Sequence, residues 1–309
     1  MTMDWLWFGQ VTMAALVDVA FAFAVGSALL GAWLDKDGRA VAAPAHVASM
    51  RAQRSAVAAA VALLLAQLAW LLYEAAAVTG ATLTDALAAV PTLLAQTHVG
   101  HAWAFAFAAS LVLLVTTLVP HAGRLRDALL WLAVIAVAAG RAASGHAADD
   151  GLASAALGIQ TLHVLTTGVW GGLVMSAGFA VLPALGASTA RGVLIRIASQ
   201  LSSTSFVAVL FVIATGVFRA VRGTGGSLAP LTGSTWGHLL VFKLTLVALA
   251  VVLGGLNRFQ ALPRLRRTAS TMDAHTFANV LYLEALAITG AFIAAAALAH
   301  SMPGAMAMG

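Results

Sequence analysis

The sequence predicts an all-α, polytopic membrane protein in which eight transmembrane helices form a bundle and both termini are extracytoplasmic. Three observations lead to this fold class. Of the 309 residues, 61% are hydrophobic and 9% are charged, whereas soluble domains carry about 25% charged residues. Apolar runs of the roughly 20 residues that a spanning helix needs recur along the chain. The basic residues fall mainly in alternate connections between these runs, which is the distribution that orients membrane proteins.

The apolar runs define eight predicted helices in a single transmembrane domain that covers residues 1–309. Their approximate bounds are 5–33, 55–79, 98–119, 127–143, 157–184, 199–221, 238–256 and 277–300. The connection 80–97 also contains an apolar stretch, which is too short to span a bilayer. We expect a short re-entrant or interfacial helix there.

Four of the connections carry most of the positive charge. Twelve of the 16 basic residues follow the first, third, fifth or seventh helix: Lys36, Arg39, Arg51, Arg54, Arg124, Arg126, Arg191, Arg196, Arg258, Arg264, Arg266 and Arg267. Cytoplasmic loops are enriched in Lys and Arg, so these connections are predicted to be cytoplasmic and both termini to face outward. Orientation in the bilayer accounts for the net charge of +5. Membrane lipid is therefore an expected partner, and nucleic acid is not.

The histidines suggest a metal site on the outer side. The chain has no cysteine, so disulfides, thiolate metal sites and redox thiols are excluded. Six of the nine histidines fall at or near the outer ends of helices or in an outer loop: His98, His101, His146, His163, His238 and His300. A single histidine at a helix end is more often an interfacial residue than a ligand. The convergence of six on one side is the reason to consider metal binding.

The spacing of these histidines and the nearby methionines favour copper. His98 and His101 are three residues apart and share one helix face. Imidazoles from neighbouring helices can ligate copper, zinc, nickel or haem iron, and a methionine thioether selects Cu(I) among metal ions. Five methionines lie on the same outer side: Met1, Met3, Met302, Met306 and Met308. We therefore predict copper, as Cu(I) and/or Cu(II).

The stretch 141–173 is the predicted centre of the site. His146 lies in its polar turn, and His163 lies about one and a half turns inside the helix that follows, so His163 is expected to be the deepest imidazole. His146 and His163 would form the centre, and His300 with Met302 its mouth. The complete predicted ligand set is His98, His101, His146, His163, His238, His300 and Met302. In the same stretch, Gly168 and Gly172 form a small-xxx-small pair that favours close helix approach.

Ionisable residues also lie within the apolar segments, where an unpaired charge is costly. Structural pairing is the expected role of four of them: Glu74, Arg141, Arg219 and Lys243. For Arg141 the expected partner is an acid on the outer side: Glu74, Asp149 or Asp150. Asp18 and Glu284 would instead mark a polar path towards the cytoplasm.

Three motifs carry a resemblance to a known family. They are SGHAA at 144–148, His163 followed by LTTGVWGG at 165–172, and WGHLLVFK at 236–243 with Leu-Asn-Arg at 256–258. On these motifs the chain resembles the CopD/PcoD family of bacterial copper-resistance membrane proteins. The resemblance implies a multi-pass, eight-helix protein of the bacterial inner membrane that imports copper from the periplasm. It also implies a periplasmic copper carrier of the CopC type as partner, with His146 and His163 as site residues.

Two functions of different class remain open at this point. The first is a copper transporter, which is not an enzyme. The second is a haem b-binding membrane cytochrome or oxidoreductase, with two outer histidines as axial ligands. In the second case the haem propionates would pair with cations of the outer half: Arg141, Arg219, Arg222 or Lys243. The methionines and the resemblance favour copper.

Overall fold

The computed structural model of the chain describes residues 5–35, 43–119 and 123–301, apart from the side chains of Ala43, His146 and Pro230. These residues are helical with short connections, and no strand occurs among them. Eight long helices form the bundle: α1 (Trp5–Asp35), α2 (Ala43–Thr79), α3 (His98–Leu118), α4 (Arg124–Ala143), α5 (Ala155–Ser176), α6 (Arg191–Gly223), α7 (Thr235–Leu256) and α8 (Thr271–Ala299). The predicted all-α class is confirmed.

Of the eight long helices, seven are long and apolar enough to cross a membrane, and α4 is the exception. It has 20 residues, with Arg126 and Asp127 near one end and Arg141 near the other. These charges leave only a short uninterrupted apolar segment between them. The predicted fourth segment, 127–143, is a helix in the structure. Its crossing of the membrane stays a prediction.

Two of the long helices continue through irregular turns. α5 is followed by a π-helical turn, Ala177–Val181, and a 3-10 turn, Leu182–Leu185. α7 continues through a π-helical turn, Asn257–Ala261, into a further helix, Leu262–Thr268. A proline follows each π turn at the second position of the next piece. Proline has no N–H to donate to the preceding turn, so the regular α pattern is disturbed at both places.

Polar residues define where several helices begin. The side chains of Thr97, Ser154, Ser234 and Ser270 accept hydrogen bonds from backbone N–H groups in the first turns of α3, α5, α7 and α8. Such caps satisfy N–H groups that have no partner within the helix. The connection between α2 and α3 contains two short helices, Leu83–Ala86 and Val90–Gln96. The expected helical segment in 80–97 is present there.

Helix α5 lies at the centre of the bundle and packs against α1, α4, α6 and α8. Its contact with α1 is closest at Gly172, which faces Gly26. A Cβ atom at Gly172 would collide with the carbonyl oxygen of Ala22, and one at Gly26 with the backbone of Gly172. The glycine pair thus brings the two backbones together, as the small-xxx-small pattern predicts. α5 is the helix that carries His163 and Trp170.

Candidate functional site

His163 is the buried imidazole of the bundle. Its residue is 8% exposed, whereas the other histidines whose side chains the structure describes are exposed or half-buried. This burial agrees with the prediction that His163 is the most deeply placed imidazole. It lies on α5, which packs against four other long helices.

The hydrogen bonds around His163 define its tautomer. Nδ1 lies 2.8 Å from the hydroxyl oxygen of Thr215 on α6. The single hydroxyl proton of Thr215 is donated to the carbonyl of Phe211, four residues earlier, at 2.6 Å. The threonine oxygen must therefore accept from His163, which places a proton on Nδ1. In the neutral imidazole the lone pair of Nε2 is then free, and no described residue forms a hydrogen bond with it.

A two-point ion pair lies in the same part of the bundle, since Arg219 interacts electrostatically with Asp18 as well as with His163. Arg141 on α4 donates from Nε to Oδ1 of Asp18 at 2.9 Å and from Nη2 to Oδ2 at 3.3 Å. Both side chains are about one-fifth exposed, at 21% and 22%. The pair joins α1 to α4 and neutralises two of the charges that lie within the helices.

This pairing corrects the expected partners of Arg141. Glu74 instead accepts from Gln10 at 3.1 Å, and Asp150 pairs with Arg222 at 2.6 Å. Asp18, expected on a polar path, is the acid that Arg141 contacts. The prediction placed Asp18 at a different depth from Arg141, because it counted residues from the ends of each helix. α1 has 31 residues and α4 has 20. The ends of such unequal helices are not level.

Two further cations, Arg219 and Lys243, face this region. Arg219 on α6 and Lys243 on α7 both interact electrostatically with His163 and Asp18. Neither makes a hydrogen bond or an ion pair with a described residue, so the structural pairing expected for them is not seen. Arg219 lies four residues after Thr215 and hence on the same face of α6. With Asp18 already paired to Arg141, the region carries an excess of positive charge.

The remaining predicted ligands lie at the ends of helices. His98 and His101 are exposed at the start of α3, and His238 is exposed at the start of α7. α3 packs against α2 and α4. His300 is half-buried, and its Nδ1 donates to the carbonyl of Ala296 at 2.9 Å.

These described histidines are not gathered into one centre. Within residues 5–35, 43–119 and 123–301, no three His, Asp or Glu residues are grouped as metal ligands. The side chain of His146 lies outside the described part of the chain, as does Met302. Met1, Met3, Met306, Met308 and His121 also lie outside it. The ligand assignments therefore stay predictions.

A second polar site surrounds Glu284, which the sequence pattern places only on a polar path towards the cytoplasm. Glu284 on α8 is 4% exposed and interacts with the side chains of Trp170 on α5 and Asn257 after α7. Gly254 is close to it, because a Cβ there would lie 2.9 Å from Oε1 of Glu284. Thr215 was missed altogether, since a threonine in an apolar run gives no pattern that links it to a histidine 52 residues away.

These features define a multi-pass type of helical membrane protein with a buried imidazole among charged side chains. Two family descriptions match the chain. "Copper resistance protein D-like, N-terminal domain" matches residues 2–155, and "Copper resistance protein D" matches residues 195–298. The matches together cover most of the sequence, and the chain belongs to the copper resistance protein D family. Comparisons with curated proteins and with solved structures gave no match.

The matched ranges contain most of the site. Asp18 and Arg141 fall in the first range, and Thr215, Lys243 and Glu284 in the second. His163 lies between the two. The family membership relates the protein to copper.

Proposed function

We propose that the protein transports copper ions inward across the bacterial inner membrane, as part of copper homeostasis and resistance. In this proposal α4 also crosses the membrane, both termini face the periplasm, and a periplasmic carrier of the CopC type delivers the copper. Copper is the cargo, and the protein is not an enzyme. The family membership supports the involvement of copper.

The free Nε2 of His163 is the observation that carries the proposal. Histidines that bind metals usually donate their other ring N–H to an oxygen, which holds the ring and its tautomer in place. His163 has this arrangement, with Nδ1–H directed at Thr215. Gly216 leaves space beside the ring, since a Cβ at that position would lie 3.6 Å from Cε1. On a buried histidine, an Nε2 with a free lone pair is a suitable ligand for Cu(I) or Cu(II).

The exposed ligands would act before His163. We propose that His98, His101 and His238 capture copper at the periplasmic surface. His300 and Met302 would form the mouth of the site, where the thioether selects Cu(I). His146 would join His163 at the centre. Transfer from exposed to buried ligands would then move copper into the bundle.

One observation favours the alternative of a haem b-binding cytochrome or oxidoreductase. Arg219 and Lys243 interact with His163 and are not neutralised by ion pairs with described residues. Positive charge opposes a bound copper cation, whereas it would stabilise the propionates of a haem whose iron His163 ligates. A haem would supply electron-transfer chemistry. Its second axial ligand is not evident among the described residues.

A visible absorption spectrum with elemental analysis distinguishes the two functions. Protein purified from copper-supplemented cells should contain stoichiometric copper and show no Soret band. His163→Ala should lose the copper while remaining folded, as judged by size-exclusion chromatography. A Soret band in the wild-type protein that disappears in His163→Ala would replace the transporter with the cytochrome. Full copper occupancy in His163→Ala would place the centre elsewhere.

A further inference from the structure

Glu284 is an acid that is buried inside the helix bundle. It is 4% exposed, and among the described residues it has no ion-pair partner. A charged side chain at the centre of a bilayer is costly, and such residues usually face the interior of the bundle and serve a function. Glu284 follows this pattern, since its neighbours are Trp170, Asn257 and Gly254 from two other helices.

Glu284 lies close to the middle of α8. It is the fourteenth of the 29 residues of α8, or about 20 Å from either end at about 1.5 Å per residue. Trp170, which interacts with it, lies seven residues after His163 on the same face of α5. That spacing corresponds to about 10 Å along the helix axis. Glu284 therefore interacts with α5 about two helical turns further along the helix than His163.

Gly254 and Asn257 provide space and polar atoms beside the carboxyl group of Glu284. A side chain at Gly254 would press on Oε1 at 2.9 Å and on Oε2 at 3.5 Å. The amide of Asn257 is 5% exposed, and neither its oxygen nor its nitrogen has a hydrogen-bond partner in bonding geometry among the described residues. A carboxylate and an unpartnered amide oxygen in one buried place are oxygen ligands that could share a cation.

Among the described residues, no charged group of the surrounding helices forms an ion pair with Glu284. On α7, Lys243 lies eleven residues before Gly254, about 16 Å along the helix. Arg258 is engaged with Ser202, to whose carbonyl and hydroxyl its Nη1 donates at 3.0 and 2.9 Å. On α1, Asp18 is paired with Arg141. His163 is the nearest titratable group on α5, and Asp273 and His275 are at the far end of α8.

We propose that Glu284 is a second cation site on the transport route, at which a proton and the copper ion exchange. This inference rests on the proposed function and deepens it. Without cargo, the carboxyl group is protonated and neutral, which avoids an uncompensated charge in the bundle. When a copper ion arrives from His163, the acid releases its proton and the carboxylate balances the ion. Each copper ion bound at Glu284 displaces one proton.

Transport assays in proteoliposomes test the role of the carboxylate. Glu284→Gln keeps the shape of the side chain but cannot ionise. It should retain copper at His163 and lose uptake by roughly ten- to a hundredfold, as expected when a buried cation loses its counter-charge. Glu284→Asp should recover part of the uptake. Asp85→Asn, which removes an exposed acid far from the bundle interior, is the matched control and should transport normally. Uptake at the wild-type rate in Glu284→Gln overturns the proposal.

Difference infrared spectroscopy provides a readout that does not depend on transport. Copper-free wild-type protein should show the C=O stretch of a protonated carboxylic acid, and copper should remove it with release of a proton. Glu284→Gln should lack this band. If the band is absent from the copper-free wild type, or is unchanged by copper, the proton-exchange site is wrong. If the wild type shows the copper-induced change but moves no copper into vesicles, the transport function fails while the cation site stands.

Discussion

Asp18 and Arg141 are joined by two hydrogen-bonded contacts, Nε to Oδ1 at 2.9 Å and Nη2 to Oδ2 at 3.3 Å. The bidentate geometry fixes α1 against α4 at one level. α4 is the least apolar of the long helices, so the burial of apolar surface stabilises its position least. The ion pair with Asp18 adds a polar contact that helps to hold α4 in the bundle. It also leaves Arg219 and Lys243 as the cations of the region without an ion-paired partner among the described residues.

Arg141→Ala should destabilise the protein by about 3 kcal/mol, because removal of one partner leaves a largely desolvated carboxylate without compensation. Asp18→Ala should have a similar effect. The double variant should lose less than the sum of the two, since neither charge is left alone. Unfolding midpoints in detergent, together with folded yield, measure these changes.

The Arg222–Asp150 pair is the matched control for that experiment. Its side chains are 49% and 43% exposed, and exposed ion pairs contribute about 0–1 kcal/mol. Arg222→Ala should therefore leave the unfolding midpoint nearly unchanged. Equal losses in Arg141→Ala and Arg222→Ala would show that burial does not distinguish the two pairs.

Thr215→Val should weaken copper binding by about ten- to a hundredfold, the usual effect of losing a partner of a ligating histidine. The valine cannot accept from Nδ1–H, so the ring loses the contact that orients Nε2. Thr215→Ser keeps the hydroxyl oxygen and should bind copper almost as the wild type does. Titration against a chromophoric Cu(I) chelator gives the affinities. Equal affinities for the valine and serine variants would mean that the hydrogen bond does not orient the ligand.

Gly172→Ala should disrupt the packing of α5 on α1. The added methyl group would collide with the carbonyl oxygen of Ala22, and overpacking of this kind costs about 1–3 kcal/mol or more when backbone must move. Gly192→Ala in α6 is the control, since a Cβ there meets nothing within 4 Å. It should be neutral or stabilising by up to about 1 kcal/mol, because alanine favours helix. The unfolding midpoints of the two variants should move in opposite directions or differ clearly.

Cysteine labelling tests whether α4 crosses the membrane. The natural sequence has no cysteine, so single cysteines at Leu125 and Ala153 report the two sides of α4. Ala153→Cys should react with an impermeant thiol reagent in intact spheroplasts, and Leu125→Cys should react only after lysis. Thr268→Cys should behave like Leu125→Cys. Labelling of both Leu125→Cys and Ala153→Cys in intact spheroplasts would place α4 along one surface.

Composition and periodicity were sufficient to predict the helices. Long apolar runs leave the backbone no partner but itself in a bilayer, so each run forms a helix, and all eight predicted segments are helical in the structure. The ends were less predictable. α2 begins at Ala43, before the predicted start at residue 55. A helix can extend beyond its apolar part, because arginines such as Arg51 and Arg54 have helix propensities close to those of apolar residues. The π turns after α5 and α7 also had no counterpart in the apolar pattern.

The sequence by itself determined that the protein is a helical, multi-pass membrane protein and that His163 lies within one of its apolar helices. These properties depend on local hydrophobicity and on position within one helix. Only the tertiary structure decided that Arg141 contacts Asp18, that Thr215 orients His163, and that Trp170 and Asn257 meet Glu284. Such contacts join residues of different helices, and their formation depends on relative height and rotation. Those are set by side-chain packing and close approaches such as Gly26 against Gly172, which no one-dimensional pattern records.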